Sequence, residues 1–244
     1  MGTFEEILDE ICEMLSCYSG RDKVIRTLCY AAKLASVMNA EKHPDAANKL
    51  KIFSSKMSQT RATLRLFDDL PMLQCTLQYG WGKHEPDRTL SVIGVLSNIF
   101  DTIYYPIDKI CWLAEYKLLH VENPTLWDTL SSLFWLMSNY LSLIKTWRFM
   151  QLTQNHKKCL SNGHSSSAEK EVKIAFSKVQ AQKEFLQKIS MIRNCIDIIH
   201  AGSTLPKGLL WGGKIPAWQV AFIGTLSSLL GMYQFLAKRR LAKS

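Results

Sequence analysis

Asp68 and Asp69 form an adjacent carboxylate pair, and two carboxylates in different surroundings can divide acid and base roles. Neighbours on a helix point apart, however, so the pair reads as helix solvation rather than a catalytic couple. Six histidines, His43, His84, His120, His156, His164 and His200, offer imidazoles. None has a second His or a Cys at metal-ligand spacing on a helix face. Seven cysteines, Cys12, Cys17, Cys29, Cys75, Cys111, Cys159 and Cys195, make an odd set without C-x-x-C spacing. That excludes zinc ribbons and thioredoxin-like chemistry and reads as a reduced, cytosol-facing protein. There is no G-x-S-x-G, G-x-x-x-x-G-K-[ST], G-x-G-x-x-G or H-E-x-x-H motif. Neither an enzyme nor a cofactor nor a bound metal is expected. Asp101 and Asp108 flank Tyr104-Tyr105-Pro106 and read as exposed positions on an amphipathic helix, with the lining of a polar channel as the alternative.

Chemistry directed at lipid is better represented. Leu50, Phe53, Met57, Leu64 and Phe67 share one face of a helix expected over about 45–70. Lys51, Lys56, Arg61 and Arg65 lie beside or opposite that face. Such a helix can lie in a bilayer interface with its apolar side at headgroup depth. Each Lys or Arg near an anionic surface adds about 1 kcal/mol. An ordinary surface helix packed on its neighbours is the competing reading.

The strongest single signal is near the C-terminus. Residues 215–237 are 23 positions without a charge, and about 20 apolar residues span the hydrocarbon core of a bilayer. Trp211 and Trp218 flank one end and Tyr233 the other, and Lys238-Arg239-Arg240 follows, pointing to a cytosolic C-terminus. A second candidate span runs from Leu126 to Ile144, with its spanning and core-helix readings both open. Gly224 and Gly231 share a face of the last helix with Ser227 and Ser228 between them, small residues that permit close packing and hint at dimerisation.

These residues must be carried by helices throughout, because no useful strand-like alternation occurs. Thr3 and Glu6 form a capping box before Phe4, Ile7, Ile11 and Leu15. Ser19-Gly20 is expected to break that helix, and a second runs from Arg21-Asp22 to about Met38. A third opens at Pro44-Asp45 and ends near Pro71. A fourth covers roughly Arg88 to Leu119 with Pro106 inside. Asn123-Pro124 opens a fifth, extending to about Leu152. The resulting organisation is an N-terminal helical region over 1–122, an apolar helix over 123–152 that could span a membrane, and a flexible linker over 153–167. A basic amphipathic helix and loop follow over 168–207, then a membrane helix and short basic tail over 208–244. Charge is divided unevenly: residues 1–150 carry 16 basic and 17 acidic side chains, residues 151–244 carry 14 and 4. That argues against a uniform nucleic-acid-binding face and for a basic segment beside an anionic surface.

Tyr18-Ser19-Gly20-Arg21-Asp22-Lys23 resembles the Gly-Arg-Asp-Lys/Arg motif (Gly20, Arg21, Asp22 and Lys23) of the peroxisomal membrane protein 11, or peroxin-11, family. Arg61-Ala62-Thr63-Leu64-Arg65-Leu66-Phe67-Asp68-Asp69-Leu70 and Tyr104-Tyr105-Pro106 resemble its gamma type. So do Leu119-His120-Val121, Gly208-Leu209-Leu210-Trp211 and Gly224-Thr225-Leu226-Ser227-Ser228. The resemblance covers about Tyr18 to Gln234. It implies an all-α protein integral to the peroxisomal membrane, with an N-terminal amphipathic helix, one or two spanning helices in the C-terminal half, and both termini cytosolic. It further implies elongation of the membrane before fission. The implied partners are peroxisomal membrane lipids, the chain itself, other isoforms, fission adaptors and a dynamin-like GTPase. The basic balance of residues 151–200 suits lipid headgroups, the import receptor for peroxisomal membrane proteins, or plain solubility. A small-solute channel lined by Asp101, Asp108, Asp128 and Asn139, and a scaffold that recruits fission factors without bending lipid, are the alternatives.

Overall fold

The computed structural model describes residues 2–85, 87–161 and 169–243. Among them there are eight α-helices and no strand: α1 Gly2–Ser16, α2 Tyr18–Met38, α3 Pro44–Leu64, α4 Asp69–Tyr79, α5 Arg88–Glu115, α6 Pro124–Ser161, α7 Glu169–Thr204 and α8 Ala217–Lys243. A 3-10 turn, Arg65–Phe67, joins α3 to α4. The helices lie side by side in the order α3, α2, α8, α7, α6, α5, α4, and α1 packs on α2. The 3-10 turn also touches α5, so the end of α3 meets the far side of the row.

Proline marks the starts of α3 and α6. Pro124 begins α6, where a missing N–H is no loss. Ser19-Gly20 does not break the first helix. The break is at Cys17, and Gly20 is buried within α2, where a Cβ would collide with the Met14 carbonyl. Pro71 does not end the third helix. It sits in the first turn of α4, a separate helix, where proline is tolerated. The linker expected from residue 153 begins no earlier than 162, because α6 continues to Ser161. Residues 162–167 lie outside the described part.

Among the described residues, two helices are long and apolar enough to cross a membrane: Arg88–Glu115 and Ala217–Ala242. The C-terminal one matches the uncharged stretch over 215–237. The second is α5, not the Leu126–Ile144 part of α6, whose run of Ser131, Ser132, Ser138, Asn139 and Ser142 lowers its hydropathy. Only 22% of the apolar stretch of α5 and 33% of that of α8 is buried within the protein. The outer face of α8 carries Trp218, Phe222, Leu226, Leu229 and Tyr233, each 39–52% exposed. On α5 the exposed stripe is Val92, Leu96, Ile99 and Ile103. A water-soluble monomer rarely leaves so much contiguous apolar surface uncovered.

The inner face of α8 is built differently. Ala221 and Ser227 are fully buried, and Gly224 packs so closely on the Tyr30 ring of α2 that a Cβ would not fit. Arg26 of α2 donates to Asp197 of α7 at 2.8 Å and to the Ser227 hydroxyl at 3.1 Å, and Ser227 donates to the same carboxylate oxygen. The side chains of Arg26 and Asp197 are 22% and 6% exposed. One network therefore joins α2, α7 and α8. Gln234 adds a bond from α8 to the Leu186 carbonyl of α7 at 3.1 Å. His200 sits beside this network between the Tyr30 and Trp135 rings, where burial lowers its pKa to about 4.

Asp197→Ala leaves Arg26 and Arg193 without their shared carboxylate and is expected to destabilise the protein by about 3–5 kcal/mol, with Arg26→Leu/Asp197→Leu recovering part of the loss, since Arg193 remains. Denaturant unfolding of the detergent-solubilised protein measures both. A single variant that unfolds at the parent midpoint would remove the pair from any structural role.

Candidate membrane interface

Helix α3 is held to α2 by small residues. Ala47 and Ser54 are its buried positions. Ser36 of α2 donates to the Ala47 carbonyl at 2.7 Å, and Ser54 donates to the Cys29 carbonyl at 2.9 Å. This close seam leaves the larger apolar residues turned away. Leu50 and Met57 are half-buried, while Phe53, Leu64 and Phe67 are exposed, Phe67 to 76%. Leu70, Leu73 and Leu77 extend the exposed apolar surface along α4, and Trp81 lies just beyond it. The sequence reading missed α4, although Leu70, Leu73 and Leu77 keep helical spacing across Pro71. Helix α1 likewise exposes Phe4, Ile7, Leu8, Ile11 and Leu15.

The four basic residues expected at headgroups divide into two pairs. Lys51 and Lys56 are exposed. Arg61 and Arg65 turn inward instead. Arg61 donates to Asp22 of α2 at 2.8 Å, and Arg65 forms an ion pair with Asp108 of α5 at 3.0 Å. Both guanidinium groups are thus committed to carboxylates rather than aimed outward.

The same contacts join three sequence motifs into one junction. In the first, Gly20 lets α1 approach, Arg21 donates to the Ser16 carbonyl at 3.2 Å, Asp22 binds Arg61, and Lys23 lies 5.6 Å from the Phe235 ring of α8. In the second, Asp68 accepts from the Tyr18 hydroxyl at 3.0 Å, and Asp69 pairs with Lys109. The third, around Tyr104-Tyr105-Pro106, supplies Asp108 and Lys109 from α5. Burial pushes the Asp68 carboxyl up from its ordinary value, opposed by its bond from Tyr18. The hydrogen bond from Lys109 holds Asp69 down. The adjacent carboxylates therefore serve two different partners, which makes them structural.

The family model for peroxisomal biogenesis factor 11 (PEX11) matches residues 8–236. The chain belongs to the PEX11 family. It is 35% identical over 233 residues to peroxisomal membrane protein 11C of Homo sapiens, covering 93% of each chain. It is 33% identical over 244 residues to peroxisomal membrane protein 11C of Mus musculus, covering 98% of each. A third relative, peroxisomal membrane protein PMP27 of Saccharomyces cerevisiae, is 30% identical over 103 residues, 42% of this chain and 41% of that one. No solved structure matches. A PEX11 protein thus has a role in peroxisome biogenesis at the level of its family, and the relatives are peroxisomal membrane proteins by name.

Within this PEX11 chain, the small residues of α8 pack inside the molecule. Gly224 meets Tyr30, Ser227 meets Arg26 and Asp197, Ser228 donates to the Gly224 carbonyl at 2.7 Å, and Gly231 lies beside Arg193. A second copy cannot use that face while α2 and α7 occupy it. The four polar residues considered for a channel are dispersed. Asp108 and Asp128 line a cavity of about 370 Å³ with Arg65 and Cys111. Asp101 bonds instead with Ser138, and Asn139 donates to the Trp135 carbonyl of its own helix at 2.8 Å.

The junction predicts coupled energetics. In a double-mutant cycle, Asp22→Ala and Arg61→Ala are expected to show a coupling of about 1–2 kcal/mol, because the pair is largely shielded from water. Additive losses in denaturant unfolding would show that the contact carries no specific energy.

Proposed function

We propose that this chain elongates the peroxisomal membrane ahead of division, with the α3–α4 apolar face as a shallow wedge in the cytosolic leaflet. The supporting observation is the orientation of α3. Its small-residue face is sealed on α2, while Phe53, Leu64 and Phe67 remain exposed beside half-buried Leu50 and Met57. Residues inserted on one side of a bilayer expand that leaflet and favour positive curvature. In this reading α8 anchors the chain with both termini in the cytosol, and Lys51 and Lys56 meet headgroups. Gly20, Arg21, Asp22 and Lys23 hold the wedge at a fixed attitude to the anchor. Self-association, other isoforms, fission adaptors and a dynamin-like GTPase complete the division step, and the import receptor for peroxisomal membrane proteins delivers the chain.

The test uses the full chain carrying Phe53→Ser, Met57→Ser, Leu64→Ser and Phe67→Ser in cells. The variant is expected to remain in peroxisomal membranes, because α8 and α5 are untouched, and to lose elongation of peroxisomes seen by fluorescence microscopy. Elongation at the parent level would overturn the wedge and leave a scaffold.

A further inference from the structure

A groove of about 820 Å³ opens between α6, α7 and the C-terminal end of α8. That volume is within the range of small-molecule sites. Its described lining contains three lysines, Lys145, Lys183 and Lys238, and no carboxylate. Lys145 is engaged elsewhere, 3.7 Å from Glu85 and over the Tyr79 ring. Lys183 and Lys238 are exposed and have no ion pair among the described residues. The floor is apolar, with Phe149, Leu186 and Leu241. A second groove of about 400 Å³ shares Leu186 and Leu241 and continues along Phe185, Tyr233 and Leu236. In the first groove the Gln187 side-chain oxygen is buried without a donor.

The position of the groove relative to α8 matters as much as its lining. The bond from Gln234 to the Leu186 carbonyl sets this part of α7 level with the last turns of α8. Lys238 lies one turn further along, close to the end of the apolar helix at Ala242. A helix of this length exceeds the hydrocarbon core, so its last turn reaches headgroup level. A groove lined by both apolar side chains and two cations without an ion pair among the described residues matches an amphiphile whose charge is negative.

We infer that this groove is a binding site for one anionic glycerophospholipid, its phosphate between Lys183 and Lys238 and its acyl chains on Leu186 and Leu241. The site rests on the reading of α8 as the membrane anchor, but not on the α3 wedge, so the two fail separately.

The experiment titrates detergent-solubilised full-length protein with dioctanoyl phosphatidylinositol and counts bound lipid by native mass spectrometry. One lipid is expected to bind, dioctanoyl phosphatidylcholine markedly less. Lys183→Gln/Lys238→Gln is expected to weaken phosphatidylinositol binding roughly tenfold or more, while Lys183→Arg/Lys238→Arg retains it. Both positions are exposed, so folding is expected to be unchanged, and thermal unfolding checks this. Equal binding of the two lipids, or no loss in the glutamine variant, overturns the site. Displacement of the lipid by inorganic phosphate or free inositol phosphate at the same concentrations would make it an anion site rather than a lipid site, and would also overturn the inference.

Discussion

The contact between Arg26 and Asp197 constrains everything around it. Asp197 is a carboxylate with 6% of its side chain exposed, beside a helix with no charge over 23 residues. An unpaired charge there would be untenable. Two cations serve it: Arg193, one turn earlier on α7, at 3.9 Å, and Arg26 of α2, 171 residues earlier, at 2.8 Å, and Ser227 of α8 closes the network. These bonds make α2 and α7 the two neighbours of α8. Gly224 follows from the same requirement, because Arg26 can reach Asp197 only if the Tyr30 side of α2 lies hard against α8. If α8 crosses the bilayer, the pair faces the protein interior, as charged groups within membrane proteins do.

From that anchor the charges of the N-terminal half are arranged outward in sequence. Asp22 takes Arg61, Asp108 takes Arg65, and Lys109 takes Asp69. Of the four basic residues expected at headgroups, only Lys51 and Lys56 remain turned outward. The balance of forces at a membrane changes accordingly. Each lysine contributes about 1 kcal/mol at an anionic surface. Complete burial of a Leu, Phe or Met contributes about 1.5–3 kcal/mol. With five such residues, even half-covered, the apolar contribution exceeds the Coulombic one. In the proposed wedge, membrane contact by α3 would therefore depend on apolar insertion more than on lipid charge, and salt would weaken it little.

Periodicity and caps made the helices legible, together with the apolar stretch of α8 and the large-residue face of α3. Three things were hidden, each for a physical reason. The start of α4 was obscured because proline usually ends a helix, yet is tolerated in a first turn. The second apolar helix was misplaced because Asp101, Asp108 and Lys109 interrupt α5. Their partners Ser138, Arg65 and Asp69 belong to other elements, so a count along the chain overstates what those charges cost. The inward turn of Arg61 and Arg65 was invisible because Asp22 and Asp108 are 39 and 43 residues away. Helical spacing places a residue on a face; it does not say which partner that face meets.

The small residues of α8 show what this implies for self-association. Small side chains drive close pairing of helices in lipid because the hydrophobic effect is absent there and packing must supply the attraction. In this chain Gly224 is covered by Tyr30, Ser227 by Arg26 and Asp197, and Gly231 faces Arg193. The exposed face carries Trp218, Phe222, Leu226, Leu229 and Tyr233, which keep backbones apart. If that face lies in lipid, a second copy meeting it would exchange lipid contacts for similar protein contacts, with little net gain. A stable pairing surface is therefore to be sought outside the hydrocarbon, where apolar burial regains its driving force. Helix α1 carries exposed apolar residues. Phe4, Ile7, Leu8, Ile11 and Leu15 are exposed along it, while Glu10 and Glu13 already pair with Arg240 and Arg239 and fix its polar side to the end of α8.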